Sequence, residues 1–516
     1  MEERLKGKIM SIEKYLKLKN GTDVRGVAVE GVENQPVTLT ADIAKNIAAA
    51  FCVWLKKQTG KEQVGVAVGY DSRISAPSLS QAVLQGIAAT GNLAVNTGLS
   101  TTPSMFMLLK DETRLASYPC DGSIMITASP LPFNRNGLKF FTPKGGLESE
   151  DVKEILTIAA EGFTFTDAGS PLYAPYIDDY AAALVQKVRA STGEEKPLAG
   201  KRILVDAGNG AGGFFADKVL APLGADTTGS QFLEPDGNFP NHIPNPEDGD
   251  AMRSVCEAVV KAKADFGIIF DTDVDRAGAV DERGEEINRT RLIALISAIL
   301  LQEKKGTIVT DSVTSDGLAT FLKQAGGKHH RFKRGYKNVI NEALRLNALG
   351  EYAPLAIETS GHAALMENYF LDDGAYLIVR LLIALAKASK EGKRLTDLIA
   401  ALPEAKEGKE LRVKFALGVD FKTLGKGVID DFAAFAQTQA YLRPATDNHE
   451  GFRVNFDEEH GDGWALLRMS LHDPNMPVNV ESDSVGGVKV ICEQLYQFLS
   501  QYEFLDLTAF ENFLKA

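Results

Sequence analysis

The chain has 516 residues, 44% hydrophobic and 24% charged, which is too long for one hydrophobic core and too apolar for a disordered or fibrous protein. Sixty-nine acidic against fifty-six basic residues leave a net charge of −13. That excludes a broad nucleic-acid surface and requires any anionic ligand to meet a local basic site. Cys52, Cys120, Cys256 and Cys492 are scattered without CxxC spacing, so neither a disulfide framework nor a zinc site is predicted, and a reducing compartment is. The opening MEERLKGKIMSIEKYL is charged and lacks the apolar core of a signal peptide. The longest apolar runs, such as Leu292 to Leu301, are too short to span a bilayer, so a cytoplasmic protein with no membrane and no nucleic-acid partner is expected.

Short apolar runs followed by glycine-rich turns and helical patterns recur over the first ~400 residues, the alternation of α/β folds. Strands are predicted at Val64–Val68 and at Ser123–Thr127, the second placing Ser129 just past its C-terminal end. That edge is where α/β proteins bind ligands, although an ordinary strand-to-loop turn would also carry a serine there. Pro130, Asn134, Asn136 and Lys139 follow closely. Thr192–Pro197 is polar and reads as a linker, after which Arg202–Asp206 is the next predicted strand.

The run Gly208–Gly213 then satisfies GxGxxG. A dinucleotide fingerprint needs an acid ending the following strand. Here Asp226 precedes the predicted strand Thr227–Leu233, which favours a tight turn for close packing. The next buried run, Phe266–Phe270, ends in Asp271, Asp273 and Asp275, followed by Arg276. Three alternating carboxylates repel one another, and a bound hard cation such as Mg²⁺ compensates them. With Glu282 at the twelfth position the stretch also imitates a calcium-binding helical-hand loop, though Arg276 stands where that loop needs glycine. A solvated acidic turn is the third reading.

Glu303–Lys305 is a charged break before another predicted strand, Gly306–Asp311. Glu358, Ser360 and His362, within five residues, could exchange hydrogen bonds with sugar hydroxyls. Glu404–Lys409 is a second charged break. The last segment differs, with strand-like Gly451–Phe456, a polar loop carrying Arg468, Ser470 and His472 suited to a phosphate, and a helical run Val488–Ser500. The expected architecture is three related α/β units plus a smaller α+β unit, spanning 1–195, 196–303, 304–408 and 409–516.

Taken in order, these stretches resemble the α-D-phosphohexomutase superfamily, the phosphomannomutases and phosphoglucomutases. Asn20–Gly26 is similar to the family's N-terminal GTDxxRG, and Thr127-Ala128-Ser129 to the start of its phosphoserine motif TASHNP. Asp271–Arg276 is similar to its metal loop DGDGDR with Thr272 and Val274 replacing the glycines, and Glu358–His362 to its sugar loop GExSGH. Pro235–Pro240 through Pro246 also resembles a family stretch. Pro130 replaces the usual histidine, and Leu131–Gly137 has the LPxxRNG form of one branch. The C-terminal RPSGTEP has become Arg468–Pro474 without its glycine and threonine.

The resemblance implies a phosphohexomutase acting on hexose 1- and 6-phosphates of glucose or mannose, with four domains around one central cleft. It implies Ser129 as phosphoryl carrier, and Mg²⁺ held by Ser129, Asp271, Asp273 and Asp275. Glucose or mannose 1,6-bisphosphate would be intermediate and activator. Lys139 is expected as acid/base, its pKa lowered by Arg25 or Arg276, with those arginines at the catalytic centre. Glu358, Ser360 and His362 would bind the sugar, and Arg468, Ser470 and His472 its phosphate. The alternatives are an inactive sugar-phosphate-binding paralogue and a dinucleotide-dependent sugar enzyme.

Overall fold

The computed structural model describes residues 12–166, 169–470 and 474–515. The charged N-terminal stretch up to residue 11 and the loop residues Leu471, His472 and Asp473 lie outside the described residues. Among the described residues, no helix is long and apolar enough to cross a membrane. The chain forms two compact units, one of Met1–Leu292 with Ser360–Thr396, the other of Ile293–Thr359 with Asp397–Ala516.

The first unit contains an eight-stranded mixed sheet. Gly65–Tyr70 pairs in parallel with Leu93–Leu99 and Gly122–Ile126, which turns through the serine loop into the antiparallel strand Arg135–Thr142. Asp23–Val27 adds to the far side of Arg135–Thr142. Gly122–Ile126 is buried along its whole length, which is why it reads as a continuous apolar run rather than an alternating one. The 19-residue helix Ala41–Thr59, capped by Thr40 and ended by left-handed Gly60, lays Ile47, Phe51 and Leu55 into the core with Val66, Val68 and Phe140.

A second sheet follows in the same unit, with Ile203–Asp206 parallel to Phe266–Phe270 and Ala277–Asp281 returning antiparallel. The three aspartates thus occupy the six-residue turn of a β-hairpin. The calcium-hand reading is corrected by this geometry: both flanks are strands, and the exposed Glu282 lies beyond the far end of Ala277–Asp281, beside Arg394. No strand forms at Thr227–Leu233 either; only the isolated bridges Arg202–Asp226 and Asp206–Gln231 occur there. The Gly208–Gly213 loop packs tightly instead. A Cβ on Gly213 would stand 2.1 Å from Leu233 O, while Ala211 N donates to Thr272 O at 2.8 Å and so braces the aspartate hairpin.

In the second unit, Thr307–Thr310 lies between the parallel strands Lys328–Arg331 and Leu355–Ile357. A six-stranded sheet with antiparallel pairings runs from Leu442–Pro444 through Phe452–Phe456, Gly463–Leu467, Asn475–Ser482 and Glu407–Phe415 to Leu505–Asp506. Glu407–Lys409, read from sequence as part of a charged break, begins one of its strands; the alternating burial of Leu411, Val413 and Phe415 outweighs the charge at the strand's start. Phe421–Thr438 and Gly487–Leu499 pack Phe432, Ile491 and Phe498 against the sheet's apolar side.

Candidate active site

Ser129 sits at the end of its parallel strand, 2% exposed, and its Oγ donates a 2.6 Å hydrogen bond to Asp271 Oδ2. The loop is held from the neighbouring strand by Arg25, whose Nη1 donates to the carbonyls of Ser129 at 3.1 Å and Ala128 at 3.5 Å. Asp23 accepts from Arg25 Nη2 and fixes the guanidinium. The Ser129–Pro130 bond is cis. Asn134 and Asn136 are structural: Asn134 donates to Gln35 and Asn136 to Ser75.

The carboxylates of Asp271, Asp273 and Asp275 are buried, and each offers an oxygen within 4.8 Å of the others. Thr102 Oγ1 donates to Asp273 Oδ2 at 2.5 Å. Oδ1 of Asp273 and Oδ1 of Asp275 receive no hydrogen bond. Buried acceptors left without donors, on hard oxygen ligands at this spacing, fit a divalent cation of the Mg²⁺ type. Burial, with Asp275 and Asp273 adding, pushes the Asp271 carboxyl well above the usual range. Burial also opposes ionisation of Asp275, but Lys139, His362 and Arg276 together hold it well below. Val274, at a family glycine position, has φ +66°, a left-handed conformation costly for a β-branched residue; its carbonyl is held by Gly374 N at 3.0 Å.

Lys139 is corrected in one respect. Its Nζ lies 2.5 Å from Asp275 Oδ2 and 3.2 Å from Asp273 Oδ2. Burial alone would lower its pKa, but Asp273, Asp275 and Asp23 together raise it well above normal, and Arg25 does not offset them. The expected lowering fails because two carboxylates lie within 3.2 Å of its ammonium and outweigh both burial and Arg25.

Arg276 closes the hairpin: its backbone N donates to Asp271 Oδ1 at 3.1 Å, and its Nε to His362 Nε2 at 3.1 Å. His362 Nδ1 lies 2.9 Å from Ser360 Oγ. Gly361 makes this approach feasible, since at φ +92° a Cβ would stand 2.7 Å from Ala277 O. Ser360 and His362 therefore belong to the serine–aspartate centre in the first unit, whereas Glu358 belongs to the second and accepts from Gly335 N at 2.6 Å.

Around Glu358 the second unit gathers further charge. Asp311 Oδ2 accepts from Thr359 N and Oγ1, and burial, with Glu358 adding and Arg334 opposing, raises its carboxyl to about 6. Arg468 is buried 3.9 Å from Glu450 and 4.0 Å from Glu410. Burial and the nearby Arg334 lower its pKa against the pull of these carboxylates. Ser470 N donates to Asn475 O; His472 lies outside the described residues.

Sequence reasoning missed Asp71, Arg73 and Thr102. Asp71 and Arg73 follow strand Gly65–Tyr70, the parallel neighbour of the serine's strand. The position shared with Ser129 beyond a parallel strand was the signal available.

Models of the phosphoglucomutase/phosphomannomutase alpha/beta/alpha domains I, II and III match residues 17–164, 176–284 and 288–405. The chain is 30% identical to a phosphoglucomutase of Neisseria gonorrhoeae over 474 residues, 91% of this chain and 94% of that one. It is 28% identical to a phosphomannomutase/phosphoglucomutase of Pseudomonas putida, covering 86% and 90% of the two chains. The crystal structure of a phosphoglucomutase/phosphomannomutase family protein from Burkholderia thailandensis superposes with a TM-score of 0.77 at 28% identity, covering 95% of this chain and 97% of that one.

Proposed function

Because the chain belongs to the phosphoglucomutase/phosphomannomutase family, whose members are mutase isomerases, we propose that it interconverts the 1- and 6-phosphates of glucose, mannose or both through a phosphoserine at Ser129. The observation that carries this reading is the 2.6 Å hydrogen bond from Ser129 Oγ to Asp271, which joins a strand-end nucleophile to the carboxylate hairpin. The bond from phosphorus to Ser129 Oγ breaks as one forms to a hydroxyl oxygen of the sugar monophosphate, and the proton that this hydroxyl loses is balanced by one gained at Ser129 Oγ. The resulting 1,6-bisphosphate, reversed in orientation, returns its other phosphoryl group to Ser129, and added bisphosphate primes the enzyme. Such transfers depend on positioning and on charge placed around the phosphoryl oxygens.

Asp271, Asp273 and Asp275 would hold Mg²⁺, which supplies Lewis-acid compensation for charge on the transferring group. Arg25 fixes the loop carbonyls on either side of the Ala128–Ser129 bond, and Arg276 orients Asp271 and His362. Lys139, a cation beside the carboxylates, would relay the proton, giving its own to the departing Ser129 Oγ and taking up that of the sugar hydroxyl, the acid/base role the family resemblance implies. Glu358, Ser360 and His362 are assigned to the sugar, and Arg468, Ser470 and His472 to its distal phosphate. The four-domain division at about 195, 303 and 408 is part of the same proposal.

The test is intact-mass measurement after incubation with glucose 1,6-bisphosphate. Wild type gains one phosphoryl group; Ser129→Ala gains none and loses turnover by about a thousandfold or more. Equal labelling of the alanine variant overturns the assignment.

A further inference from the structure

Arg73 takes no part in the chemistry above, yet its side chain is 0% exposed, and an enclosed guanidinium is costly unless its donors are met. Here the Nη donors are directed at one target, while Nε makes no hydrogen bond and is met only by the charge of Asp71. Nη1 donates to Pro132 O at 2.8 Å and Arg135 O at 3.0 Å, and Nη2 to Leu131 O at 2.7 Å. Leu131 and Pro132 belong to the loop that carries the chain from Ser129 into strand Arg135–Thr142, and Arg135 is where that strand begins. Arg25 holds the same loop at Ala128 and Ser129. Two guanidiniums therefore grip successive stretches of it.

The clamp is closed from two further directions. Asp71 Oδ2 stands 3.4 Å from Arg73 Nε, and Asp71 Oδ1 accepts from Arg73 N at 3.0 Å, setting the fork's direction. From the other side comes Pro235–Pro240, a stretch to which the proposed chemistry gives no role. The ring of Phe239 lies 5.5 Å from Arg73 Cζ. Gly237 lies directly on Ser72–Ile74, where a Cβ would stand 2.3 Å from Ile74 N and 2.6 Å from Ser72 O. A planar fork serving three carbonyls fixes their mutual placement, which an apolar filler or a lysine cannot do.

We propose that Arg73, aimed by Asp71 and covered by Phe239, is a positioning residue that sets the serine loop so that Ser129 Oγ stays at hydrogen-bonding distance from Asp271. It acts through Leu131, Pro132 and Arg135. The inference rests on Ser129 being the phosphoryl carrier.

The full-length Arg73→Lys and Phe239→Leu variants test it, read by steady-state kinetics and by the rate at which glucose 1,6-bisphosphate phosphorylates Ser129. Arg73→Lys is expected to lower kcat about 10- to 100-fold, with the Ser129 phosphorylation rate falling by the same factor and KM for the hexose phosphate changing less than about threefold. Phe239→Leu should lower both rates about threefold to tenfold. Kinetics are normalised to the folded fraction. A folded Arg73→Lys with both rates within about twofold of wild type overturns the proposal, because a residue that only stabilises the fold would behave so. Where Arg73→Lys does not fold, Phe239→Leu decides alone, and an unchanged phosphorylation rate overturns it. Failure of the underlying reading looks different: Ser129→Ala would then still take up the label.

Discussion

The serine–aspartate centre of the first unit and the Arg468 neighbourhood of the second are both buried and charged, but they are built differently. In the first, contacts are short: 2.6 Å from Ser129 to Asp271, 2.5 Å from Thr102 to Asp273, 2.5 Å from Lys139 to Asp275. In the second, Arg468 stands 3.9 and 4.0 Å from Glu450 and Glu410, and its Nε has no hydrogen-bond partner. The carboxylates neutralise the guanidinium without hydrogen-bonding to it. Short contacts suit a centre where reacting atoms must be fixed, since small displacements there cost rate. Long, charge-only pairing suits the proposed exchange of a carboxylate for a ligand phosphate at Arg468.

The comparison is broken most severely at the hairpin. Asp273→Ala removes the acceptor shared by Thr102 and Lys139, and turnover is expected to fall by about a thousandfold, with excess Mg²⁺ restoring little. Glu282→Ala, beyond the hairpin's far end, should stay within about twofold of wild type. Equal damage from Glu282→Ala, with Ca²⁺ raising Tm more than Mg²⁺, would overturn the Mg²⁺ assignment. Lys139→Arg sharpens the same centre, because arginine keeps the charge but does not give up its proton. A fall of about a hundredfold in kcat with KM little changed is expected for a proton carrier. A loss under about tenfold would make Lys139 a counter-charge only.

At the second centre the effects should appear in binding. Arg468→Ala is expected to raise KM for hexose phosphate about 10- to 100-fold across pH 6 to 9, since a guanidinium stays charged throughout. Glu450→Gln keeps an acceptor for Ser312 and Arg334 N but removes a competing negative charge, so KM should fall about twofold to fivefold. An unchanged KM in both variants would mean that Arg468 is structural.

The same contrast explains what was legible in the sequence. The strands Phe266–Phe270 and Gly122–Ile126 are apolar runs buried on both faces, so both position and loop could be read directly. Ser129 and the three aspartates stood out by their places after those strands, and the family resemblance supplied the roles expected of them. Thr227–Leu233 misled because a segment with two β-branched threonines and a Phe-Leu end can lie along a strand through isolated bridges without entering the ladder. Lys139 was expected beside Arg25 or Arg276 with a lowered pKa, but the sign of its shift depended on distances to Asp273 and Asp275 that no spacing encodes. The role of Arg73 was hidden for a related reason. Its partners are backbone carbonyls and a ring about 60 and 170 residues away, and carbonyls leave no mark in a sequence.

The last expected effect concerns stability, not turnover, at the second centre. Asp311 is buried, and its carboxyl lies at about 6 in the folded chain, against about 3.9 when exposed in the unfolded chain. Between those values the folded state binds more protons than the unfolded one, so stability falls as pH rises from about 4 to about 6 and levels off above. A shift of about two units amounts to at most about 3 kcal/mol, reduced by any relaxation around the ionised group. Asp71 and Asp373, also raised to about 6 by burial, slope in the same direction, so the wild-type curve alone does not isolate Asp311. Asp311→Asn does. Its amide oxygen can still accept from Thr359 N and Oγ1, and its NH₂ group cannot ionise. Thermal midpoints of the variant and wild type should coincide near pH 4, and the variant's should be higher by a few degrees at pH 7. A Tm difference that is the same at both pH values would show that Asp311 ionises normally in the folded chain and that Arg334 compensates its burial in full.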